Sequence, residues 1–185
     1  MRVRAIIPAK GNSKRLKKKN IHEVFGKPMI FWSIDACKNS KYKIEPWVST
    51  EDDKIAEVSK SMGANVVLRD PALCEDHILK MEVIRDAARK IEKLNGPADI
   101  VVSLQANSPQ IRSEHLDAGI DKLIETGAKE IFSVDSDLMQ NAAFRIMKGD
   151  HVYLKEPSIY CGVIVCDLVD VHTIEDVKKI ETCAE

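Results

Sequence analysis

Residues 8–20, PAKGNSKRLKKKN, place six cations, one glycine and two small polar residues between Pro8 and Asn20. Such a run can be a solvated loop, a nucleic-acid patch or a cradle for phosphate oxygens. Gly11 can supply unusual backbone angles, and the N–H groups around it, with Asn12 and Ser13, can point inward as a nest for anions. Lys14 and Lys19 would then add charge along a phosphate chain. The run is neither a P-loop nor a dinucleotide fingerprint, because GxxxxGK[ST] and GxGxxG are both absent.

The elements around this run favour the cradle. Short, nearly continuous apolar segments rich in β-branched residues occur at 3–8, 46–50, 65–68, 99–104 and 131–134. Such segments suit strands covered on both faces. Between them, 29–38, 53–62, 79–94 and 114–125 carry helical spacing, with Ser113 as a candidate N-cap for the last. Regular alternation of strand and helix predicts an α/β domain with a mostly parallel sheet flanked by helices. After Asp135 the pattern changes. FRIMKGDHVYL reads as a hairpin turning at Gly149-Asp150, SIYCGVIVC as a further strand, and TIEDVKKIETCA as a closing helix capped by Thr173. In such a sheet ligands bind beyond the carboxyl ends of the strands, and residues 8–20 leave the end of the first one.

Composition narrows the partners. With 185 residues, 44% of them hydrophobic, the chain can bury a sizeable core and is expected to form one domain over 1–185. Because 28 Lys+Arg stand against 29 Asp+Glu, the basic run is local, and it lacks interleaved aromatics, which argues against a nucleic-acid partner. The opening MRVRAIIPA is too short for a signal peptide, and no later apolar run approaches a membrane span. A cytoplasmic protein with no membrane partner is expected. Five cysteines, odd in number and without a CxxC pair, read as reduced thiols.

Four stretches in order carry a family resemblance. IPAKGNSKRLKKKN with the following GKPMI resembles the IPARxGSKxxxxKN and GKPLI opening of the CMP-sialic acid synthetases, or acylneuraminate cytidylyltransferases. VSTEDDKIAEVSKSMGANVVLRDPALCED is similar to that family's STDD, GA and RPxL segment. VVSLQANSPQIR stands where the family has LLQPTSPLR, and LVDVHTIEDVKKIE where it has DIDTPEDxxxAE. The matches span nearly the whole chain.

The resemblance implies a Rossmann-like nucleotidyltransferase domain that transfers CMP from CTP to an acidic sugar and releases pyrophosphate. It assigns Lys10, Ser13, Lys14 and Lys19 to the triphosphate, beside Gly11, which the loop itself offers as a nucleotide-binding residue. Asn20, Arg69 and Gln105 fall at nucleotide-contacting positions. It gives Asp170 to Mg²⁺, with Mn²⁺ as an alternative. The chemistry suits the task, since charge grows on departing pyrophosphate and hard Mg²⁺ prefers carboxylate and phosphate oxygens. Three departures bear on these assignments. Lys10 replaces an arginine, which keeps charge but loses bidentate geometry. His172 replaces the second metal-binding aspartate. The stretch near 136–158 is shorter than the family's acceptor-binding and dimerisation arm, so the acceptor and a homodimer both stay open. A keto-deoxy sugar acid or small phosphonate is the alternative acceptor, and a CTP-binding relative with impaired catalysis the alternative protein. The QANSP stretch differs from the QGDEP of the deoxy-octulosonate branch.

Overall fold

The computed structural model describes residues 1–182. Cys183 and the last residues of the expected closing helix lie outside the described residues. A seven-stranded sheet runs in the order β5-β4-β1-β6-β8-β7-β9. Its strands are β1 (Val3–Pro8), β4 (Glu45–Thr50), β5 (Asn65–Leu68), β6 (Ile100–Leu104), β7 (Glu130–Val134), β8 (Gln140–Lys148) and β9 (Cys161–Val165). A two-residue ribbon, β2 (Glu23–Val24) with β3 (Lys27–Pro28), lies apart. The strands β5, β4, β1 and β6 are mutually parallel; β8 runs antiparallel to both β6 and β7, and β9 is parallel to β7.

The helices are α1 (Met29–Asn39), α2 (Asp53–Ser61), α3 (Lys80–Asn95), α4 (Ser113–Thr126) and α5 (Ile174–Thr182). Successive residues of β1 feed opposite layers, as strand geometry requires. Ala5 and Ile7 pack with Ile30 and Ile34 of α1, Ile55 of α2 and Leu116 and Ile120 of α4. Ile6 instead joins Trp47, Val101 and Ile84, Ala87 and Ile91 of α3. Both faces of β1, β4 and β6 are therefore dry, which is why their sequences lack polar alternation, while the edge strand β5 leaves Asn65 and Leu68 exposed. Among the described residues no helix is long and apolar enough to cross a membrane.

The chain passes from β1 outward to β4 and β5, then returns across the sheet to β6. That reversal leaves a crevice between the ends of β1 and β6, where an open parallel sheet binds its ligand. Residues 9–20 and 105–112 border it. Cys37, Cys74, Cys161 and Cys166 are free thiols.

Two local readings need adjustment. Gly149-Asp150 is not a hairpin turn. Gly149–Tyr153 forms a 3-10 helix, and the reversal lies instead at 135–139 between β7 and β8. Gly149 is required by contact, because a Cβ there would stand 1.9 Å from the Ala98 carbonyl oxygen. The α4 helix begins at Ser113 itself, so the capping position is Arg112, whose N–H donates to His115 Nδ1 at 3.2 Å. Thr173 does cap α5: its Oγ1 accepts from Asp176 N–H, while the Asp176 carboxylate accepts from the N–H groups of His172 and Thr173.

Candidate active site

Six of the sequence-predicted residues line one cleft of about 280 Å³ at the β1/β6 crevice: Lys10, Ser13, Lys19, Asn20, Arg69 and Gln105. They come from three separate segments that only the fold unites. The loop after β1 supplies the first four, and Asn20 secures it by donating from Nδ2 to the Lys10 carbonyl at 2.9 Å. Lys19 opens a short 3-10 helix after Lys18, which adopts a left-handed φ of 53°.

Arg69 follows β5 and is 4% exposed. Its Nη2 donates to the Ser49 carbonyl at 2.7 Å, and Nη1 lies 4.0 Å from Glu51 Oε2. Burial lowers the Arg69 pKa and Glu51 opposes that shift, so the guanidinium is held as a fixed buried cation. Glu51 Oε2 is buried without a hydrogen-bond partner among the described residues. Gln105 leaves the end of β6; its carbonyl accepts from Ser33 Oγ at 2.5 Å and its Nε2 donates to Asp170 Oδ2 at 3.2 Å.

Asp170 borders this cleft through that bond. Its other oxygen accepts from Ser108 Oγ at 2.7 Å, and His172 Nε2 lies 4.0 Å from Oδ2. No group of three or more His, Cys, Asp or Glu side chains suited to a metal occurs among the described residues. A divalent ion here would rest on one carboxylate plus water and phosphate oxygens, a mode magnesium accepts. Burial, then repulsion from Lys19 and Arg15, lowers the His172 pKa from 6.5, leaving a neutral imidazole at neutral pH.

Two predicted residues stand differently. Lys14 is exposed and pairs with Asp76 at 2.5 Å, while Lys10 pairs with the other oxygen of the same carboxylate at 2.7 Å. These two ammonium groups hold the Asp76 carboxyl down at about 2. An intramolecular carboxylate thus already sits on two of the three lysines meant for phosphate. Gly11 does not use a left-handed backbone angle. It is glycine because a Cβ would fall 2.4 Å from Asp52 Oδ2, and its N–H donates to Glu51 Oε1 at 2.7 Å.

Unlike Lys10 and Lys14, the Lys19 ammonium has no ion pair among the described residues. Burial lowers its pKa; Asp170 opposes that shift, whereas Arg15 and Lys10 reinforce it. A partly buried ammonium surrounded by other cations is costly unless an anion arrives.

The sequence reading missed Lys80, Asp76, Cys74 and Asn107, all of which line the cleft. Lys80 is the first residue of α3, and burial lowers its pKa. Asn107 exchanges hydrogen bonds with Val171, giving from Nδ2 and accepting at its carbonyl, and so ties the end of β6 to the Asp170 segment. The cation at the start of α3 was the available signal for Lys80, since helix starts prefer acids. A larger cavity, about 380 Å³, lies beside Arg4, Ile91 and Tyr153. Its buried Arg4 is already bonded to Glu45 and to the carbonyls of Asn95 and Gly96, so little charge is left for a ligand.

The architecture is that of a Rossmann-like nucleotidyltransferase. A solved CMP:2-keto-3-deoxy-manno-octonic acid synthetase complexed with CTP superposes with a TM-score of 0.78 at 15% identity, covering 100% of this chain and 98% of that one. The chain belongs to the cytidylyltransferase family, whose model matches residues 4–160. It is 35% identical over 132 residues to an N-acylneuraminate cytidylyltransferase of Oncorhynchus mykiss, covering 71% of this chain and 30% of that protein. It is 31% identical over 157 residues to a pseudaminic acid cytidylyltransferase of Campylobacter jejuni, covering 84% and 68%. The chain therefore spans less than a third of the fish relative's length.

Proposed function

We propose that this chain transfers CMP from CTP to an acidic sugar of the nonulosonic type and releases pyrophosphate. The observation that carries the reading is the convergence of Lys10, Lys19, Asn20, Arg69 and Gln105 on one cleft at the switch point of the sheet. The family relation supplies the nucleotide. In the reaction the acceptor hydroxyl gives its proton to water as its oxygen bonds to the α-phosphorus, and the bond from that phosphorus to the oxygen bridging it to the β-phosphate breaks. Negative charge then accumulates on pyrophosphate, where preorganised cations act most strongly.

Lys10 and Lys19 meet that charge from the β1 loop. Lys14 joins them once the triphosphate replaces Asp76 as its partner. Arg69 and Asn20 fix the nucleoside end, and Gln105, held by Asp170, faces the reacting centre. A Mg²⁺ ion, or Mn²⁺, held by Asp170 would neutralise phosphate charge and help orient the triphosphate. We place the protein in the cytoplasm, as a single domain whose 136–158 stretch is an abbreviated arm, and leave a homodimer compatible with it. A nucleic-acid or membrane partner is not part of this reading.

The test is pyrophosphate release from purified protein with each of the four NTPs, Mg²⁺ or Mn²⁺, and a panel of nonulosonic acids, keto-deoxy sugar acids and phosphonates. Release with CTP and a nonulosonic acid is expected. Turnover of a phosphonate alone would replace the acceptor, and CTP binding without release under any acceptor would replace the enzyme by a nucleotide-binding relative.

A further inference from the structure

A second cleft, of about 230 Å³, adjoins the first and shares Lys80 with it. Phe132 of β7, Met81 of α3, and Gln140, Phe144 and Arg145 of β8 border it. The two cations of this lobe differ in what they are bonded to. Arg145 donates from Nε to Glu130 Oε2 at 2.6 Å, pairs with the same carboxylate through Nη2, and lies 5.0 Å from the Phe132 ring centroid. Its charge is locally matched.

Lys80 has no comparable partner. Among the described residues its hydrogen bond is one long contact, 3.3 Å, to the Ala142 carbonyl. The carboxylate whose field reaches it, Asp170, also acts on Lys19, so one negative charge serves two ammonium groups. The position is also locally unfavourable, because Lys80 is the first residue of a sixteen-residue helix, where the backbone dipole already presents positive charge. Local rules broken without local compensation are expected at functional or strained sites.

We propose that Lys80 receives the carboxylate of the acceptor, and that the cleft between α3 and β8 is the acceptor lobe, selecting an anionic sugar with an apolar substituent. This rests on the transferase reading above. In-line attack on the α-phosphorus requires the acceptor to approach from the side away from pyrophosphate, and the second cleft is the adjoining space that Lys80 joins to the nucleotide cleft. The ammonium pairs with the carboxylate, the apolar substituent lies against Phe132 and Met81, and Gln140 offers an amide to a hydroxyl.

The experiment compares the parent with Lys80→Met and Lys80→Arg, using N-acetylneuraminic acid, 3-deoxy-manno-octulosonate and the methyl ester of each. CTP affinity is measured separately by calorimetry. Lys80→Met should raise the acceptor KM about tenfold or more for a free acid, as loss of a charge-assisted bond predicts. Because Lys80 also borders the nucleotide cleft, the CTP Kd should rise as well, but by a smaller factor than the acceptor KM, and the ester should show no such KM penalty. Lys80→Arg should recover most of the affinity. Equal penalties for acid and ester, or a loss confined to CTP affinity, would overturn the carboxylate assignment and make Lys80 a packing or phosphate residue. An active parent whose Lys80→Met variant is unchanged overturns Lys80 alone; a parent that binds CTP yet turns over no acid overturns the transferase reading and this assignment with it.

Discussion

The two sides of the sheet are built on different principles. The parallel strands β4, β1 and β6 are sealed by apolar contact on both faces, with β5 as a partly exposed edge, and the loops of this side carry the cations of the nucleotide cleft. Beyond β6 the sheet turns antiparallel, and β8, β7 and β9 are joined through a polar element at their centre. Glu130 is fully buried, pairs with Arg145 across the β7/β8 register, and accepts from Ser158 N–H at 2.6 Å. The first side separates its stability from its chemistry. On the second, the residue that matches the buried charge also borders the proposed acceptor lobe.

Breaking that ion pair should have the largest effect. Glu130→Ala leaves Arg145 unmatched and should lower unfolding free energy by about 3–5 kcal/mol, read from urea denaturation. A cost below about 1 kcal/mol would mean that Arg145 finds water instead and that the two sides are less different than described. On the parallel side, Lys19→Ala should do the opposite. CTP binding should weaken about 10- to 100-fold, equivalent to loss of one charge-assisted contact of about 1.5–3 kcal/mol. The melting temperature should hold or rise, because an under-compensated cation is removed. Weaker folding with intact CTP binding would reverse the assignment.

Asp76→Asn sharpens the picture of the cleft itself. Lys10 and Lys14 lose their internal anion, so CTP affinity should rise about two- to threefold, the modest scale expected of exposed pairs. An unchanged or lower affinity would make the Asp76 contact a scaffold for the loop. The smallest expected effect is in pH. Because burial lowers the Lys19 pKa below 10.5, the ammonium is lost earlier on alkalinisation than an exposed lysine would be. CTP binding needs the protonated form, so affinity should begin to fall below that pH in calorimetric titrations, and Lys19→Ala should remove this part of the dependence.

The same contrast explains what could be read in advance. The strands at 3–8 and 65–68 coincide with β1 and β5; the continuous apolar run of β1 states its burial locally, and β5, with only Val67 buried, was legible from its β-branched pair. Thr173 and Asp176 lie three residues apart, so their reciprocal cap was also legible. The β7/β8 reversal was not. It carries no glycine: Asp135 Oδ1 accepts from the N–H groups of Asp137 and Met139, and Leu138 takes a φ of 64°. Gly149 looked like a turn residue although its reason is the Ala98 carbonyl, some fifty positions away. Lys10, Lys19, Arg69 and Gln105 followed from motif positions. Asp76 did not, and for Lys80 the only local signal was a cation at a helix start, since the place of both in the cleft depends on how α3 and the loop before it cross the sheet.

The most direct test of the central claim is calorimetric titration of the parent and of Lys19→Ala with CTP, ATP, GTP and UTP in the presence of Mg²⁺. The account predicts saturable binding of CTP to the parent in preference to the other three, weakened about 10- to 100-fold by the substitution. Equal binding of all four nucleotides, or CTP binding indifferent to Lys19, would contradict a cytidine nucleotide cleft at the β1/β6 crevice.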